Sequence, residues 1–86
     1  MHIKKVKKIN FIMRLVDISN GKSVKILKVG CKSALSFRLA EMGVVNGCRI
    51  TVIRRASFNG PILIKVKDFY LALRYNDCKY ITVGAL

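Results

Sequence analysis

Between Ile62 and Leu73 the chain holds two five-residue alternations joined by two residues, a pattern that an antiparallel hairpin accommodates and a helix does not. Ile62, Ile64 and Val66 share one parity, with Leu63 and Lys65 on the other. After Lys67-Asp68, Phe69, Leu71 and Leu73 alternate with Tyr70 and Ala72. Successive strand residues point to opposite faces, so each run turns one apolar face toward a core. The same reading upstream gives a strand from Cys48 to Arg55, with Cys48, Ile50 and Val52 inward and Arg49 and Thr51 outward. Ser23 to Val29 is another, with Val24 and Ile26 on one face. Leu27 and Val29 fall on the opposite parity, which a bulge or a two-sided strand explains. Tyr80 to Val83 closes the series, with Ile81 and Val83 inward. Asn20-Gly21, Asn46-Gly47 and Gly60-Pro61 punctuate these runs as turns.

Ser33 to Met42 is the one good internal helix. Ser33 can accept from the free N–H groups of the first turn. Leu35, Leu39 and Met42 share a face, while Arg38 and Glu41 point elsewhere. Gly43 stands where a left-handed residue stops the helix, and Val44 can then fold back on Leu39. Leu15 to Gly21 reads as an entry segment anchored by Leu15, Val16 and Ile18. Asn76 to Lys79 can form one helical turn.

Five short strands with one helix after the first predict a mostly β fold, a small closed barrel. Closure matters because such short strands do not survive as open edges. A length of 86 residues suits one domain, and 52% hydrophobic composition supports a core. The expected division is a basic extension over residues 1–14 and a globular domain over 15–86.

The net charge is +13, and five of the 17 basic residues (Lys4, Lys5, Lys7, Lys8 and Arg14) lie in the extension. Residues 15–86 still carry a balance of +8. Such a field attracts acidic proteins, anionic lipid or nucleic acid alike. In the extension Ile3, Val6, Ile9 and Ile12 recur among the lysines. The segment reads as a loose tail preceding a second start at Met13, as a basic amphipathic helix touching anionic lipid, or as a strand or turn packed on the barrel. It lacks the continuous apolar stretch of a secretory signal. Apolar runs such as Tyr70 to Leu73 are too short to span a bilayer.

Catalytic chemistry needs a convergent acid, base or nucleophile. Here the one histidine, His2, lies in the extension, and Asp17, Glu41, Asp68 and Asp77 are scattered. Ser33 and Ser36 have no base beside them. No enzymatic activity is expected. Cys31, Cys48 and Cys78 are an odd count without a CxxC pair, which fits reduced cytosolic thiols packed as small hydrophobes. No metal site and no cofactor are expected from this set. The absence of a GxxxxGK[ST] sequence excludes P-loop nucleotide binding.

From Leu15 to Val83 the chain resembles the ferrous iron transport A (FeoA) family. The resemblance rests on Arg38-Leu39-Ala40-Glu41-Met42-Gly43-Val44-Val45-Asn46-Gly47 as helix, glycine and loop, and on Arg54 to Pro61 as a Gly-Pro hairpin. Leu71-Ala72-Leu73-Arg74 and Ile81-Thr82-Val83 resemble its last two strands. Leu39, Gly43, Gly47, Gly60 and Pro61 are then the structural motif positions. Asn46 replaces a common Pro, Asp68 a common turn Gly, and Cys78 a common Ala. The resemblance implies an SH3-like barrel and a cytoplasmic accessory role in bacterial ferrous iron uptake; a peripheral place at the inner face of the membrane is the expectation that the basic residues 1–14 add. The implied partner is the cytoplasmic part of a FeoB-type GTPase transporter. A similar barrel ends the diphtheria-toxin-repressor type of regulators, which leaves a regulatory role open.

Two surfaces are candidates for partner binding. One joins outward Leu63 and Tyr70, with Ile53 nearby, to Arg54, Arg55 and Phe58 in the adjoining loop. An apolar patch rimmed by arginine has the composition of a binding hot spot. Scattered surface apolar residues are also normal in any protein. The other is the helix, through Phe37, Arg38 and Glu41. The alternative function is nucleic-acid binding, with the positive charge on phosphates and Phe58, Tyr70 and Tyr80 stacking on bases. Against it, the lysines alternate with apolar residues along the whole chain, as solvated strand faces do.

Overall fold

A computed structural model describes residues 11–30 and 33–86. Residues 1–10, Cys31, Lys32 and the side chain of Ser33 lie outside the described residues, and with them the amphipathic-helix and N-cap expectations.

Six strands form one antiparallel sheet: β1 (Ile12–Arg14), β2 (Ser23–Val29), β3 (Arg49–Arg55), β4 (Ile62–Val66), β5 (Phe69–Leu73) and β6 (Ile81–Gly84). Their order is β1-β6-β2-β3-β4-β5. Helix α1 (Ser33–Glu41) follows β2, and the single turn α2 (Tyr75–Cys78) precedes β6. Five of the strands are the expected ones, and the sixth is β1. It pairs with β6 through Ile12↔Gly84, Met13↔Val83 and Arg14↔Thr82. All three of its residues are exposed, so backbone pairing rather than an apolar face holds it.

The core is one cluster fed by almost every element. Val24 and Ile26 of β2, Ile50 and Val52 of β3, and Ile62, Ile64 and Val66 of β4 are buried. So are Ile81 and Val83 of β6, Leu15 and Val16 of the 3-10 turn at Leu15–Asp17, Leu39 of α1 and Cys78 of α2. Phe69 and Leu71 pack against the cluster only in part. No polar side chain is buried among the described residues. The parity switch in β2 is a bulge, with a register shift between Ile26 and Lys28 opposite β6.

Helix α1 stops as its sequence requires. Gly43 has φ +87°. The Val44 amide donates to the Leu39 carbonyl at 2.9 Å and the Gly43 amide to that of Ala40 at 3.0 Å. These two bonds make a Schellman cap, and Val44 is buried beneath it. Met42, expected on the apolar face, lies past the last helical residue and is exposed. The turn between β4 and β5 forms with Val66↔Phe69 as its closing pair. Lys67, at φ +54°, and not Asp68, takes its left-handed position.

Candidate functional site

The outer face of the sheet assembles two side-chain rows that the register dictates. Arg54, Leu63 and Ala72 stand side by side across β3, β4 and β5. Ser23, Thr51, Lys65 and Tyr70 form the neighbouring row across β2 to β5. Leu63 and Tyr70 are therefore diagonal neighbours, close enough for an aromatic ring to touch an aliphatic chain. The Lys65 ammonium lies 5.8 Å from the Tyr70 ring centroid, within cation–π range. The hydroxyls of Ser23 and Thr51 share a 2.7 Å hydrogen bond at the far end of the row. Tyr70 is exposed and Leu63 half-buried.

Arg55 leaves this surface. A register shift between Val52 and Arg54 puts an extra residue, Ile53, into β3. Beyond it, Arg54 stands opposite outward Leu63, and Arg55 stands opposite inward Ile62. The Arg55 guanidinium donates to the backbone carbonyl of Val16. Its charge is thus engaged in joining β3 to the 3-10 turn.

The loop from Ala56 to Gly60 presents Phe58 fully to solvent. Phe58 and Asn59 both have φ +58°, a region that costs an L-residue such as Phe roughly 1–2 kcal/mol. The Ala56 amide donates to the Pro61 carbonyl at 3.0 Å and the Gly60 amide to that of Ser57 at 3.1 Å. A Cβ on Gly60 would lie 2.7 Å from the Cβ of Ala56, so the loop closes this tightly only around glycine. The exposed ring therefore sits on a stiff, strained support.

Helix α1 adds a second surface. Phe37 is 68% exposed, and Arg38 shares with Met42, Leu71 and Ala72 a crevice of about 130 Å³ between α1 and β5. Among the described residues no three His, Cys, Asp or Glu side chains gather to hold a metal ion. Cys48 is half-buried and Cys78 buried. No helix is long and apolar enough to cross a membrane among the described residues.

The outer face has the makings of a binding surface: apolar Leu63 and Tyr70, Arg54 beside them, and the exposed ring of Phe58 on the loop that follows β3. The conserved-domain model for the FeoA domain matches residues 13–84. The chain belongs to the FeoA family. That family is linked to ferrous iron transport, and the FeoA domain is a non-catalytic accessory domain. A fusion protein of Fe(2+) transport protein A and the Fe(2+) transporter FeoB from Porphyromonas gingivalis is 32% identical over 71 residues, which are 83% of this chain. The chain spans 8% of that relative's length. The solution structure of FeoA from Chlorobium tepidum is 30% identical, with a TM-score of 0.82 over 86% of this chain and 70% of that one. The zinc complex of FeoA from Stenotrophomonas maltophilia, described as a prokaryotic SH3-domain protein, is 25% identical. It has a TM-score of 0.72 over 83% of this chain and 88% of that one. The fold is SH3-like, as the strand pattern and the family resemblance imply.

Sequence parity brings Leu63 and Tyr70 together. It does not place the two arginines: strict alternation after Val52 turns Arg54 inward and Arg55 outward, and the bulge at Ile53 reverses both. It also overlooks a cleft beside the outer face, where Arg49, Lys65 and Lys67 meet. Those three are far from a contiguous basic run, and only the pairing of β3 with β4 joins them.

Proposed function

We propose that this chain is a cytoplasmic accessory protein of bacterial ferrous iron uptake that binds the cytoplasmic part of a FeoB-type GTPase transporter. The observation that carries this reading is the fusion relative, in which a matching domain and a FeoB transporter share one polypeptide. Covalent linkage makes an encounter intramolecular, and a free domain of the same family must supply that contact through its own surface.

The row Arg54–Leu63–Ala72 with Tyr70, the Phe58 knob and the Phe37–Arg38 face of α1 are the contacts assigned to the partner. Aromatic residues and arginine dominate such interfaces energetically. Of the basic extension expected over residues 1–14, Ile12–Arg14 belong to the sheet as β1; Lys4, Lys5, Lys7 and Lys8 before it add attraction to the anionic inner face of the membrane, where the transporter sits.

The test is retention of the transporter's cytoplasmic part by the immobilised full chain, alongside ferrous uptake in cells lacking the chain. Specific retention and impaired uptake are expected. A partner active in GTP hydrolysis but not retained, with uptake unchanged, would overturn the proposal.

A further inference from the structure

The cleft beside the outer face has a volume of about 590 Å³ and is lined by the connection between α1 and β3, by Thr51, and by Arg49, Lys65 and Lys67. No acidic side chain lines it. The register shows how unusual this grouping is. Lys25 stands directly opposite Arg49. On the other side of β3, Ile50 pairs with Val66 and Thr51 with Lys65, so Lys67 comes next to Arg49 at the end of the ladder.

Like charges facing each other across strands destabilise a sheet. Some charges elsewhere have a partner. Arg14 pairs with Asp17 at 3.2 Å and Arg74 with Asp77 at 3.3 Å. Lys22 and Lys79 lie over the rings of Phe11 and Tyr75. Arg49 and Lys67 have neither an ion pair nor a ring among the described residues. Three cations thus line one concave corner that no acidic side chain lines, with a fourth, Lys25, directly across the strand from Arg49.

We infer that this cleft binds a compact phosphorylated small molecule bearing a di- or polyphosphate group. A concave site of this volume is in the range of small-molecule pockets. Several cations around a small volume match the charge density of a phosphate chain better than carboxylates spaced along a peptide. Arg49 supplies a planar fork for two phosphate oxygens, and Lys65 and Lys67 supply point charges. The ligand relieves the repulsion between Arg49, Lys25 and Lys67, so binding and stability are coupled. The site does not depend on the transporter reading: Arg49 and Lys67, the residues altered in its test, lie outside the contacts assigned to the partner, although Lys65 adjoins Tyr70.

Inorganic pyrophosphate is the probe, titrated into the full chain at about 0.15 M salt. Saturable one-site binding is expected, with backbone amide NMR shifts centred on Arg49, Thr51, Lys65 and Lys67. The pair Arg49→Gln and Lys67→Gln should weaken binding by about tenfold or more. The same charge removed at Lys22→Gln and Lys79→Gln should change it less than about twofold. Without ligand, the Arg49→Gln/Lys67→Gln variant should melt about 2–5 °C higher than wild type. Equal weakening by both pairs, shifts centred elsewhere, or a lower melting point in the site variant would overturn the site. A hexaglutamate peptide binding as tightly as pyrophosphate would overturn the ligand class.

Discussion

The Arg55 guanidinium donates to the Val16 carbonyl and so fastens the last residue of β3 to the turn that follows β1. A hydrogen bond from a charged donor is worth more than a neutral one. Arg55→Ala should therefore cost about 1–2 kcal/mol in urea unfolding. Arg55→Lys should recover only part of this, because an ammonium lacks the reach and fork of a guanidinium. Arg54→Ala, one residue away but facing solvent, should stay within about 0.5 kcal/mol of wild type.

Leu39 is fully buried and supplies the carbonyl that caps its own helix. Leu39→Ala leaves the carbonyl in place and removes only packing. A loss of about 2–5 kcal/mol is expected, and a thermal melt matching wild type would disprove the burial.

The loop at Gly60 makes a prediction about a pair. Gly60→Ala brings two methyl carbons to 2.7 Å and should cost about 1–3 kcal/mol. Adding Ala56→Gly removes the nearer clash. The double variant should regain most of the loss in a double-mutant cycle.

Phe58 offers a trade between stability and binding. Its side chain buries nothing, while its backbone is left-handed. Asn tolerates that conformation better. Phe58→Asn should raise unfolding stability by about 0.5–1 kcal/mol and weaken retention of the transporter's cytoplasmic part. A gain in stability with binding unchanged would remove Phe58 from the interface.

Arg54 and Leu63 adjoin in one row but should act on different rate constants. Arg54→Glu should slow association in a salt-dependent manner, and Leu63→Ala should speed dissociation. Surface-immobilised binding traces separate the two. Identical traces for both variants and wild type would place the contact elsewhere.

Alternation made the interior of β4 legible, because Ile62, Ile64 and Val66 leave no second reading. The helix stop was equally plain, since Gly43 and Val44 carry the Schellman signature in their residue types. Strand β1 was only one of three readings of its segment: Ile12, Met13 and Arg14 lie outside the buried core, and their place comes from backbone bonds that carry no side-chain pattern. The direction of Arg55 was hidden for a related reason. One extra residue at Ile53 reverses the parity of everything after it, and nothing local marks the insertion. The cationic cleft needed the register itself, since Arg49 and Lys67 are neighbours only once β3 and β4 have paired.

Ile12 stands opposite Gly84, so the first and last strands are hydrogen-bonded to each other along one rim. The polypeptide enters and leaves through the same doorway. Chain that runs into Ile12 and chain that runs on from Gly84 join the sheet at that rim, at the other end of the strand order from β4 and β5. Such an architecture can be tethered to a much larger machine from behind while its opposite side stays free to touch it, and a circular permutant rejoined at this rim should keep every other ladder intact.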